Sequence, residues 1–143
     1  MTAFRQAGLI LVIALGLAGV TAAIHPKRPS MLAPPADPNE VTLAQTQQWA
    51  GTVLWVDARS EAEFASGHIP DAVSLNFENW PEAFPKFLDH YSPDRRVVVY
   101  CSAASCQLSR EIAEKLRASG LTNAYFLEGG WEAWQQQNPA GAQ

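Results

Sequence analysis

Cysteine is scarce in this chain: 143 residues contain two, Cys101 and Cys106. Two thiols are too few to staple a small fold, so a disulfide-dense scaffold is excluded. Histidine is equally thin. His25, His68 and His90 are scattered, and none stands at ligand spacing to a cysteine, so the sequence holds no metal site and no sign of a cofactor. No basic stripe appears, and the formal charge is −4, which argues against a nucleic-acid partner. What is present suits one globular domain plus an appendage: the length is right for that, and the 48% hydrophobic content is ordinary for such a chain carrying one extra apolar segment.

That extra segment is "AGLILVIALGLAGVTAAI", Ala7 to Ile24, with Thr21 its only polar residue. Eighteen helical residues span roughly 27 Å, close to a bilayer core of about 30 Å. A helix packed in a small soluble domain would show a polar face, and this one has none. Residues 1–25 are therefore a transmembrane anchor or a signal segment. Arg5 gives a charged start, and small residues at Val20-Thr21-Ala22 and Thr21-Ala22-Ala23 could serve cleavage and export. Lys27 and Arg28 directly after the span favour an uncleaved anchor, because positive charge resists translocation. Charge lies on both sides of the span, so it does not fix the orientation. An anchor would bring the domain to the membrane and to a membrane-protein partner. Residues 26–38 carry Pro26, Pro29, Pro34, Pro35 and Pro38. They read as a Pro-rich linker, either a disordered joint or a polyproline-like spacer reaching about 40 Å.

From residue 39 to 143 the elements alternate. "VTLAQTQQWA" begins extended and turns helical, with Thr42 as N-cap. "VLWVD" (Val53 to Asp57) and "VVVY" (Val97 to Tyr100) are continuous apolar runs. In "SEAEFASG", Ser60 caps a short helix, Glu63 completes a capping box and Gly67 ends it. "AVSL" is a short strand. "ENWPEAFPKFLDH" contains Pro81 and Pro85, which predict one or two short helices. Leu108, Ile112 and Leu116 recur at i, i+4 and i+8 and mark one helix, ended by Gly120, with charged residues on its other faces. "AYFL" is a last strand and "GGWEAWQQQ" a last helix. Apolar strands without alternation are buried on both faces, so the expected fold is α/β, a roughly five-stranded, mainly parallel sheet with helices on both sides.

Such sheets bind ligands beyond the carboxyl ends of their strands. Two polar features stand there: Asp57-Ala58-Arg59 after one strand, and Cys101 after another. Cys101 leaves its strand through Ser102, Ala103, Ala104 and Ser105, then Cys106 and Gln107, into a helix. Small residues let backbone N–H groups approach the sulfur, and a nest of amides at a helix start favours a thiolate. The alternative is a small buried hydrophobe, the common fate of a free cysteine; the strand-end position favours function.

The residues also carry a resemblance. "VDARSEAEFASGHIPDAVSLNF", "VVYC" with its tight loop and helix, and "FLEGGWEAW" resemble, in the right order, the three signatures of the rhodanese family over about residues 40 to 138. The resemblance implies a rhodanese-like fold and a sulfurtransferase. Cys101 would take sulfane sulfur from a small donor as a persulfide and pass it to a thiol or protein acceptor, and the amides of Ser102 to Gln107 would cradle the anion. Asp57 and Arg59 would tie the strand end to the active-site loop, His68 would hold a turn, Glu63 would cap its helix, and Trp131 and Trp134 would be core.

The chain departs from the family's usual Cys-x-x-Gly-x-Arg loop. Ala104 replaces the glycine, which strains the loop if φ is positive there. Cys106 replaces the arginine, which removes a clamp for an oxyanionic donor; thiosulfate is thus expected to be poor. Asp71 stands where glycine commonly follows His-Ile-Pro. Cys106 could resolve the Cys101 persulfide by closing a disulfide, or simply fill the arginine's space. A resting disulfide between the two requires Cα atoms within about 7 Å. Two other readings compete: a thiol–disulfide oxidoreductase using Cys101 and Cys106, and a non-catalytic binding module. A phosphatase on the same fold would need Cys-x5-Arg, and no arginine follows at that spacing.

Overall fold

A computed structural model describes residues 37–103 and 107–138, all within the compact unit Asp37–Gln143. The expected span at residues 7–24 and most of the linker lie outside the described residues. Among the described residues no helix is long and apolar enough to cross a membrane.

The described chain alternates strand and helix throughout. The strands are β1 (Glu40–Val41), β2 (Val53–Asp57), β3 (Val73–Ser74), β4 (Arg96–Tyr100) and β5 (Ala124–Leu127); the helices are α1 (Leu43–Gln48), α2 (Glu61–Ser66), α3 (Trp80–His90), α4 (Leu108–Ala118) and α5 (Gly130–Gln137). The strands form one sheet in the order β1-β5-β4-β2-β3, and every pairing is parallel. This is the expected α/β architecture.

Side-chain alternation along β4 explains why its sequence is apolar throughout. Val97 and Val99 face one core with Leu54, Val56, Phe87, Ile112 and Leu116. Val98 and Tyr100 face the other, with Val41, Leu43, Ile69, Trp131 and Trp134. A central parallel strand covered on both sides has no position for a polar residue until it ends. Cys101 continues the alternation and points into the first core.

Both expected capping boxes form. Thr42 and Gln45 exchange bonds at the start of α1, and Ser60 and Glu63 do so at α2. Asp71, in place of the commoner glycine, adopts φ 62°, a left-handed conformation that Asp tolerates better than most residues.

Two details go beyond the residue pattern. Of the one or two short helices expected over the Pro-containing segment, one forms, a continuous helix of 11 residues. Pro81 lies in its first turn, where a missing N–H costs nothing. Beyond Pro85 the helix is held by an aromatic ladder: Trp80 stacks on Phe84 at 4.9 Å, Phe84 on Phe87 at 6.1 Å, and Phe87 meets Tyr91 at 6.2 Å. Phe87 is fully buried, so packing offsets the lost backbone bond. The second concerns Leu108. Ile112 and Leu116 are fully buried, but Leu108, the first member of the stripe, is 44% exposed. It sits at the first position of α4.

Candidate active site

The chain reverses its winding between β2 and β4. From β2 it runs outward to β3, and from β4 outward the other way to β5. The ends of β2 and β4 are in register, Asp57 opposite Tyr100, and so the sheet opens a crevice just past these two residues. Cys101 is the next residue of β4's chain and is 1% exposed.

Two clamps fix the peptide at Cys101. The Trp131 amide donates to the Cys101 carbonyl at 2.7 Å, and the Glu132 amide donates to the Ser102 carbonyl at 3.1 Å. Both donors belong to the first turn of α5, whose N–H groups have no partner within the helix. Gly130 makes the approach possible. It has φ 54°, and a Cβ there would overlap the Cys101 carbonyl. From the other direction, the Ser102 hydroxyl donates to Glu63 Oε1 at 3.0 Å. Glu63 is therefore more than a cap. Its carboxyl is held below its ordinary range by the Ser60 hydroxyl, then by the Ser102 hydroxyl and the Ser60 amide.

Cys101 Sγ lies 3.6 Å from the Ser109 hydroxyl and 3.8 Å from the Ala103 carbonyl oxygen. Ser109 is 2% exposed, in the first turn of α4. A buried hydroxyl at that position can donate to a thiolate and so favours the charged form. Sequence reasoning missed Ser109. Its only signal was a polar residue on the inward side of α4, beside Ile112 and Leu116. Cys101 is not a free thiol here. Ala104, Ser105 and Cys106 lie outside the described residues, and the expectations placed on Ala104 and Cys106 lie there with them. Gln107 precedes α4 and contributes no side-chain cap.

Asp57 and Arg59 form a buried ion pair. Arg59 Nη2 donates to Asp57 Oδ2 at 2.6 Å, and Arg59 Nε donates to Asp57 Oδ1 at 3.0 Å. Burial alone would pull the guanidinium's affinity for its proton down, but the bond to Asp57 and its charge raise it. Among the described residues neither side chain of the pair bonds to the active-site loop. Arg59 donates to the Gly67 carbonyl at 2.7 Å, lies 4.7 Å over the Trp131 ring, and accepts Asn76 Nδ2 on its carbonyl at 2.9 Å. Among the described residues the pair is linked to Cys101 through Trp131. Tyr100 joins the same knot: its hydroxyl accepts the Ile69 amide at 3.1 Å, and burial pushes the phenol well up, so it stays neutral.

His68 holds a turn, as expected. Its Nδ1 is 2.9 Å from the Phe64 carbonyl and its ring stacks on Phe64 at 3.9 Å. Trp131 and Trp134 are core, stacked at 5.3 Å. Arg110 faces away from the cysteine, toward Asp37, with which it pairs, and lies over the Phe126 ring. Among the described residues no group of His, Cys, Asp and Glu could hold a metal ion.

Comparison with known proteins agrees with this fold. The family described as the rhodanese-like domain matches residues 40–137. The thiosulfate sulfurtransferase GlpE of Shewanella oneidensis is 35% identical over 89 residues, covering 62% of this chain and 82% of its own length. GlpE of Pseudomonas syringae is 32% identical over 96 residues, covering 67% and 84%. Among solved structures, a protein of Bacillus halodurans superposes with TM-score 0.58 at 23% identity, covering 69% of this chain and 72% of its own. A rhodanese-related protein of Thermoplasma volcanium gives 0.56 at 20%, covering 69% and 92%. These two share the fold.

Proposed function

The chain belongs to the rhodanese-like family, and from that premise we propose that it is a sulfurtransferase working through a persulfide on Cys101. The family match and the GlpE relatives support the class of activity. The observation that carries the assignment to Cys101 is its position at the end of a central parallel strand, with its carbonyl clamped by α5 and its sulfur 3.6 Å from a buried hydroxyl. The thiolate attacks the sulfane sulfur of a donor X–S⁻, the X–S bond breaks, and X leaves with the electron pair. Loop amides and Ser109 stabilise the sulfur anion before and after transfer. A thiol acceptor then takes the outer sulfur.

Thiosulfate is a poor donor in this reading, although the GlpE relatives are named for it. Residues 102–107 contain no cation, and Arg59 is committed to Asp57. Cys106 is a resolving thiol. Its thiolate attacks Cys101 Sγ of the persulfide, hydrosulfide leaves, and a Cys101–Cys106 disulfide closes, with no outside oxidant needed. The resting form then carries that disulfide. Two facts support this: Cys101 is not free, and the chain has one other cysteine. A donor panel with the purified protein tests both points. Thiosulfate:cyanide turnover at the level of a GlpE relative would defeat the first, and an unchanged persulfide lifetime in Cys106→Ser would defeat the second.

Residues 7–24 tether the domain to a membrane, where a membrane protein is the acceptor's natural neighbour. The apolar run and the following Lys27 and Arg28 support an uncleaved anchor. Carbonate extraction of cells expressing a tagged chain tests it; a shortened, extractable protein would mean cleavage and export instead.

A further inference from the structure

The crevice beside Ser102 has walls of unusual character for an enzyme whose relatives are named for an inorganic anion. A hollow of about 240 Å³ is lined by Ala58, Ser102, Phe77 and Leu108, with Glu63 and Glu78 among the same walls. Phe77 and Leu108 are each 44% exposed and are two of only three large apolar side chains so exposed among the described residues. Both border the same hollow.

Phe77 is not a loose ring on a loop. Asn76 Oδ1 accepts the amides of Glu78 and Asn79 at 2.9 Å each, Asn79 Oδ1 accepts the Asn76 amide at 2.8 Å, and Asn76 Nδ2 donates to the Arg59 carbonyl. Lys115 Nζ sits 5.1 Å over the Phe77 ring and 4.0 Å over Trp80. The loop is thus braced to hold an apolar ring at the mouth in water, where burying it would have been favourable. Leu108, on the wall of the same hollow, is fixed by the first turn of α4.

The charge on the walls of the hollow is acidic. Glu63 carries a carboxyl held down by its hydroxyl donors, Glu78 is exposed, and the one guanidinium there, Arg59, is neutralised by Asp57; Lys115, over the Phe77 and Trp80 rings, is not among the walls. Such a mouth disfavours an anion and favours an uncharged apolar body. A dry apolar cavity of ~150 Å³ already accepts a benzene ring, so there is room for an arylmethyl thiol.

Building on the persulfide reading of Cys101, we propose that the hollow between Phe77 and Leu108 is the acceptor subsite and selects a small, uncharged thiol with an apolar body. The acceptor thiolate RS⁻ attacks the outer sulfur of Cys101–S–SH. The bond between Sγ and that sulfur breaks, its electron pair stays on Cys101 as the thiolate, and R–S–SH leaves with the proton already on the transferred sulfur. Nothing is oxidised or reduced from outside.

The test uses the full chain, loaded as the Cys101 persulfide, with benzyl mercaptan, 2-mercaptoethanol and 2-mercaptoethanesulfonate as acceptors and rates expressed per thiolate. Benzyl mercaptan should exceed the sulfonate in kcat/KM by at least tenfold. Phe77→Ala and Leu108→Ala should each reduce the ratio of benzyl mercaptan to 2-mercaptoethanol several-fold, and Phe77→Leu should restore part of it. Glu78→Lys, an exposed change that leaves packing alone, should raise the sulfonate rate several-fold. Rates that follow thiol basicity alone, with selectivity unmoved in all four variants, would overturn the subsite while leaving the persulfide reading intact. Failure of any donor to load Cys101 would overturn that reading and the subsite with it.

Discussion

The Trp131 amide holds the Cys101 carbonyl at 2.7 Å, so the last helix of the domain positions the residue that begins its reactive loop. Three other parts of the site connect to this bond. Arg59 stacks on the Trp131 ring, Asp57 fixes Arg59, and Gly130 admits the helix to the loop.

Gly130→Ala should damage both folding and activity. The new Cβ overlaps the Cys101 carbonyl, and φ 54° is unfavourable for alanine. A loss of about 1–3 kcal/mol is expected from the strain, read by urea denaturation, with at least a tenfold slower sulfur transfer. An unperturbed variant would mean that the approach of α5 to the loop is looser than described.

Ser109→Ala should slow alkylation of reduced Cys101 by iodoacetamide several-fold near neutral pH, because the thiolate loses a buried donor. Ser109→Thr, which keeps a hydroxyl, should recover part of the rate. A merely structural serine would leave the pH profile of alkylation in place.

The Asp57–Arg59 pair is buried on both sides. Removing one partner strands a charge, so Asp57→Ala or Arg59→Ala should each destabilise by roughly 3–5 kcal/mol, while Arg59→Lys loses the bidentate fit. Equilibrium denaturation measures each. A double variant more stable than either single one would confirm that the stranded charge is the cost.

Much of this was legible from residue order alone. Val53 to Asp57 and Val97 to Tyr100 announce buried parallel strands because no polar residue interrupts them, and Thr42, Ser60 and Glu63 mark helix starts by their bonding chemistry. Cys101 stood out because a strand end is a ligand position in such sheets. The rest depended on contacts between distant parts of the chain. Pro85 reads as a breaker until the aromatic ladder is seen, and the exposure of Leu108, the first member of its stripe, appears only in the fold. Ser109 was marked only by polarity on the inward side of α4, and Gly130 stood within the "FLEGGWEAW" stretch, but the contact of each with Cys101 appears only in the fold.

Acidification should act through Glu63. Its folded-state carboxyl is held below the ordinary value of 4.5 by the Ser60 and Ser102 hydroxyls. The stabilisation is therefore complete above that value and is lost as pH falls through the folded-state one. Glu63→Gln should flatten the decline of the urea midpoint on the acid side and loosen Ser102. An identical acid limb in wild type and variant would refute the coupling.

The central claim is that Cys101 carries the sulfur, and site-resolved mass spectrometry tests it most directly. The full chain is reduced, exposed to a sulfane donor, trapped with an alkylating agent and digested. The account predicts an added mass of about 32 Da, one sulfur atom, on the peptide containing Cys101, and no adduct at all in Cys101→Ser. The adduct should persist longer in Cys106→Ser than in the wild type. An added sulfur found on Cys106 in the Cys101→Ser protein, or found on neither cysteine with any donor, would contradict it.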